Sequence, residues 1–115
     1  GAGDTEHDLQ VAAGALSSGG VVIIDDCFNP DWPGVSEGLA RYMLLGGGEA
    51  ALRPFLVGYN KVMLAAPRWH GQYLDMARRE LGSRKSERMY GGEVAVLPHG
   101  WITPFHSNDR FGGVQ

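Results

Sequence analysis

Apolar residues recur at helical spacing in three stretches and gather into short continuous or alternating runs in three others, which predicts a mixed α+β chain. Thr5 is placed to cap a first helix whose Leu9, Ala12, Ala13 and Leu16 share one face, ended by Ser17-Ser18-Gly19-Gly20. Val21-Val22-Ile23-Ile24 is a β-branched run between Gly20 and Asp25, the pattern of a strand buried on both faces. Asn29-Pro30-Asp31-Trp32-Pro33 is turn chemistry that launches a second helix, with Val35, Leu39, Tyr42 and Met43 on its inner side and Gly46-Gly47-Gly48 as its stop. Phe55 to Ala66 is predicted to be extended, because Phe55, Val57 and Tyr59 alternate and Val62-Met63-Leu64 is simply apolar. Pro67 opens a third helix with an apolar stripe of Trp69, Tyr73, Ala77 and Leu81, and Gly82 follows where a cap belongs. Arg84 to Arg88 is expected to be a polar loop. Beyond it a strand puts Val94 and Val96 on one face and Glu93, Ala95 and Leu97 on the other.

Length changes the picture by limiting it. At 115 residues and 43% hydrophobic, with no internal repeat or linker, residues 1–115 are expected to form a single domain. A net charge of −3 gives no basic excess to attract nucleic acid. The runs Val21 to Ile24 and Val62 to Ala66 fall far short of the roughly 20 residues that span a membrane, and the first residues do not read as a signal peptide. The lone Cys27 has no partner for a disulfide within the chain, so a reducing, cytoplasmic setting is expected, with Cys27 as a small buried hydrophobe. Phe111-Gly-Gly-Val-Gln115 ends in what reads as the start of another strand, so these residues are expected to be part of a larger functional domain.

The chemistry concentrates near the C-terminal end. After the Val94 strand, a Pro98-His99-Gly100 turn and Trp101 lead to His106, with Asn108 and Asp109 close behind. Neutral imidazole beside a carboxylate suits Fe(II) and leaves coordination positions for substrate and O₂. His99 could meet His106 across the turn, although a polar turn histidine is the blander reading. Trp69 and Tyr73 belong to the helix stripe and are expected in the core, and His70 beside them is expected to be solvated. Arg78, Arg79, Arg84, Lys85 and Arg88, broken by Glu80 and Glu87, read as a solvated face. There is no Gly-x-Ser-x-Gly elbow, and the glycine clusters lack the Lys-Ser/Thr of a phosphate loop and the spacing of a dinucleotide fingerprint.

Two blocks carry a family resemblance. Gly19 to Asp31, a strand running into an Asp-Asp turn and a proline-led helix, and Val94 to Asp109, a strand and turn delivering His106, together resemble prolyl-4-hydroxylase-like Fe(II)/2-oxoglutarate-dependent oxygenases across about a quarter of the chain. The resemblance implies a double-stranded β-helix (jelly-roll) with N-terminal buttressing helices, only part of which lies in these residues. It implies Fe(II) and 2-oxoglutarate as cofactors and hydroxylation of a C–H bond in an amino-acid, peptide or small-molecule substrate. His106 matches the first iron ligand, and Tyr90 and Trp101 would shape the cofactor pocket.

The departures are specific. The family's aspartate position is Asn108, and the carboxylate comes one residue later as Asp109, which in an extended strand faces the other way. Three readings follow, in this order: a bulge re-aims Asp109 onto the metal, an anion such as chloride replaces the carboxylate as in related halogenases, or the metal is lost. No histidine or arginine follows Arg110 to match the family's distal histidine and 2-oxoglutarate-binding arginine. Residues beyond Gln115 would supply them, or the chain is a non-catalytic binding domain or degenerate jelly-roll without metal.

Overall fold

The computed structural model describes residues 2–15, 19–46, 51–58, 60–83 and 85–97. The elements are α1 (Ala2–Ala15), β1 (Val21–Ile24), α2 (Pro33–Arg41) continuing into a π-helical turn (Tyr42–Gly46), β2 (Arg53–Gly58), β3 (Lys61–Ala65), α3 (Pro67–Glu80), β4 (Lys85–Met89) and β5 (Gly92–Val96). The class is α+β: three helices on a five-stranded open sheet of order β1-β3-β2-β5-β4. The sheet is mixed, because β2 and β5 run parallel while the other neighbours are antiparallel.

Two cores form because the central strands alternate apolar side chains to both faces. On β3, Val62 and Leu64 join Leu9, Ile24, Leu39 and Tyr42 beneath α1 and α2, while Ala65, with Met63 packed beside it, joins Leu56, Leu74, Ala77 and Ala95 beneath α3. A register shift between Pro54 and Leu56 inserts Phe55 as an extra residue, so Phe55 and Leu56 both pack on the α3 side. Tyr42 is fully buried, and its hydroxyl accepts a hydrogen bond from the Leu52 backbone N–H at 2.8 Å. That pairing satisfies a buried donor that would otherwise cost about 1–3 kcal/mol.

Several expectations are corrected. β1 is not buried on both faces: Val21 is 43% and Ile23 56% exposed, because β1 is an edge strand and α3 packs on β2, β3 and β5. Thr5 is not an N-cap, since α1 starts at Ala2, and Thr5 instead lies against Gly38 of α2. Residues 85–88 are no loop but most of β4, paired along β5. β4 showed no alternation because it is an edge strand whose first four residues are all exposed. The extended segment from Phe55 proves to be two antiparallel strands, with Gly58 opposite Lys61 at the turn. Leu16, Tyr59 and Arg84 lie outside the described residues.

The third helix has the bounds the pattern predicts, but of its predicted stripe only Ala77 is buried, Trp69, Tyr73 and Leu81 are partly buried, and Leu74 beside them is buried. Pro67 occupies its first turn, the last-turn cations Arg78 and Arg79 suit the negative end of its dipole, and Gly82 follows the cap at a φ of 68°. Among the described residues no helix is long and apolar enough to cross a membrane.

Candidate functional site

Of the residues singled out for metal and cofactor chemistry, His99, Trp101, His106, Asn108 and Asp109 lie outside the described residues. What the structure does place is the strand that leads to them. β5 is held on one side by β2 and on the other by β4, and the Leu97 N–H extends its pairing by donating to Val57 O at 2.9 Å. Among the described residues no group of three or more His, Cys, Asp or Glu side chains could hold a metal.

Tyr90 is the one singled-out residue that the structure locates. Met89 pairs with Gly92, so Tyr90 and Gly91 form a two-residue hairpin loop, and their φ values of 50° and 82° follow the type I′ pattern. Gly91 takes that conformation freely. A tyrosine does not: asparagine or aspartate is the usual choice, and a bulky residue there carries strain of about 1 kcal/mol or more. Arg88 bridges the loop by donating to the Gly91 carbonyl. Burial pushes the Tyr90 phenol above its ordinary value, with the neighbouring Cys27 adding to the shift, so Tyr90 stays neutral at physiological pH.

A cleft of about 410 Å³ opens beside this loop, lined by Arg53, Pro54, Pro67, His70, Met89, Tyr90, Gly91 and Gly92. Three elements meet there: the start of β2, the first turn of α3 and the β4–β5 hairpin. His70, expected to be solvated, is half-buried and fastens them together. Its Nε2 lies 3.0 Å from Pro54 O and 2.8 Å from Glu93 O. Both carbonyls can only accept, so Nε2 carries the proton and bridges β2 to β5. Sequence reading missed His70 because it sits on the flank of the α3 stripe, and missed Arg53 because nothing local marks it.

The basic cluster is structural where it is described. Arg78 donates to Ser86 and, at 2.8 Å, to Glu93, tying α3 to β4 and β5. The Arg78 guanidinium beside Glu93 holds that carboxyl below the usual range. Lys85 and Glu87 lie 3.5 Å apart on the exposed edge.

Cys27 is buried as expected, its N–H donating to Asn60 O at 2.7 Å in the turn after β1. Burial pushes its thiol from 9.0 up to about 11. A thiolate nucleophile is therefore disfavoured. Because the folded value is raised, the unfolded chain deprotonates first as pH rises, so this thiol's contribution is intact below pH 9 and lost between 9 and 11. Cys27→Ser should remove that part of the alkaline loss of stability. In native protein at pH 8, a thiol reagent should label Cys27 only as fast as the protein opens, and immediate labelling would contradict its burial.

No protein-family model, curated protein or solved structure matches this chain.

Proposed function

We propose that the chain supplies the N-terminal helices and first metal-binding strand of an Fe(II)/2-oxoglutarate-dependent oxygenase built on a double-stranded β-helix. It would hydroxylate a C–H bond of an amino-acid, peptide or small-molecule substrate. The observation that carries this reading is the order of the two sequence blocks: Gly19 to Asp31, then Val94 to Asp109 delivering His106. The described residues form an open mixed sheet with helices on both faces, so what supports the reading is where the two blocks fall. The first block falls on β1 and the turn into Pro33 of α2, the second begins in β5, and α1 and α2 pack on one face of the sheet.

The donor chemistry fits in kind. His106 and Asp109 offer the imidazole and carboxylate that Fe(II) takes, whereas the neutral amide of Asn108 is a weak donor. Bound iron with 2-oxoglutarate and O₂ would supply the oxidant for hydroxylation. The chain's own part is to hold the metal through His106 and Asp109, and to shape the pocket with Trp101 and with Tyr90 as a neutral phenol.

The test is Fe(II)-dependent conversion of 2-oxoglutarate to succinate by the full expressed protein, beside His106→Ala. Turnover and bound iron, both lost in the variant, are expected. Neither turnover nor a metal to lose would leave the second reading, a non-catalytic binding domain.

A further inference from the structure

The Tyr90 cleft has a chemistry of its own. Its volume of about 410 Å³ falls within the size range of small-molecule sites. Its walls are Pro54, Pro67 and Met89, and the two glycines Gly91 and Gly92 leave bare backbone where side chains would narrow it. Among the described residues no acidic side chain lines it. Among the described residues Arg53 is its one arginine or lysine, and the Arg53 side chain has no hydrogen-bond or ion-pair partner there. The other described cations are all engaged: Arg41, Lys61, Arg78 and Lys85 pair with carboxylates, Arg79 and Arg88 donate to backbone carbonyls, and Arg68 lies over the Trp69 ring.

Two further features bear on whether the cleft is built or incidental. Tyr90 lines it from a backbone conformation that asparagine would occupy with less strain, and the same side chain packs against the core around Cys27 and Tyr42, which holds it in place at the cleft. His70 fixes the rim, since one ring nitrogen bonds both Pro54 O and Glu93 O and so sets the spacing of β2, β5 and the first turn of α3.

We propose that this cleft binds a small monocarboxylate with a flat apolar body. The carboxylate would pair with the planar fork of the Arg53 guanidinium, which matches it bidentately, and the apolar body would lie among Pro54, Pro67, Met89 and the Tyr90 ring. The site shares Tyr90 with the pocket of the oxygenase reading but uses none of the positions assigned to iron, and benzoate binding is read without metal or turnover, so its failure is distinguishable from that of the oxygenase reading.

Sodium benzoate is the probe, with benzamide as its uncharged counterpart. Amide chemical shifts of the isotope-labelled protein would be followed during titration with each. Saturable shifts with benzoate are expected at Arg53, His70 and Met89 through Gly92, with a Kd on the order of 1 mM for so small a ligand. Benzamide should bind at least about tenfold more weakly, and Arg53→Gln should weaken benzoate by a similar factor, because each removes the charge-assisted pair. Arg53→Gln breaks no described contact, so its fold should survive. Tyr90→Asn is the second variant: asparagine suits the loop conformation but gives up the packing of Tyr90 on the core, so amide shifts away from the hairpin should stay in place while benzoate affinity falls. Benzoate shifts scattered over the surface, equal response to benzamide, or unchanged affinity in Arg53→Gln would each overturn the proposal.

Discussion

Phe55→Ala should lower the unfolding free energy by about 3–5 kcal/mol. Phe55 is 2% exposed and is the extra residue at the β2 register shift, with its ring 5.4 Å from that of Tyr73 and tilted 51° to it. Truncation removes that ring contact and leaves a hole beneath α3. The hole cannot close easily, because β2 is hydrogen-bonded to β3 on one side and β5 on the other. Denaturant unfolding should show a lower midpoint with an unchanged slope, the sign of lost stability without an altered unfolded state. Phe28→Ala is the control. Phe28 is 47% exposed, so its loss should fall within about 0.5 kcal/mol of zero. Equal effects at the two positions would mean that the core is not centred on the bulge.

Gly38→Ala should destabilise by about 1–3 kcal/mol, the cost of overpacking a tight contact. The usual sign is the reverse, since alanine is favoured over glycine in a helix interior by about 1 kcal/mol. Geometry decides between them. A methyl group at Gly38 would sit 2.5 Å from the Ala2 carbonyl oxygen and 2.5 Å from Thr5 Cβ, so α1 and α2 would have to separate. Gly71, in the middle of α3, has nothing within 4 Å, and Gly71→Ala should therefore stabilise by about 0.5–1 kcal/mol. Thermal unfolding of the two variants should shift in opposite directions. A gain at both positions would show that α1 and α2 pack less closely than described.

These two positions show what local pattern can and cannot reveal. Gly38 reads as an ordinary glycine in a helical stretch, and only the crossing of α1 over α2 makes it a contact point. Phe55 and Val57 alternate as strand residues should, yet the bulge moves Leu56 onto the side of Phe55 and Val57 onto the opposite face. Period alone could not anticipate that, because a bulge is set by pairing with the neighbouring strand. The candidate site is hidden in the same way. The Tyr90-Gly91 hairpin turn is not legible, because residues 84–88 read as a loop, and its meeting with Arg53 and His70 joins residues far apart in the chain.

The sequence by itself determined the local elements whose signals are local. The β-branched Val21 to Ile24 run makes a strand, Pro67 and Gly82 bound α3, and the apolar stripe between them buries Ala77 and packs Trp69 and Tyr73 against the core. It also carried the block ending in His106, on which the oxygenase proposal rests. Only the tertiary structure decided that β1 lies at the sheet edge with Val21 and Ile23 exposed, and that the polar Lys85–Met89 is a strand. It also brought Arg53, His70 and Tyr90 around one cleft. The reason is physical: side-chain period reports how one segment divides its faces, whereas strand order, helix coverage and close approach depend on segments that meet only after folding.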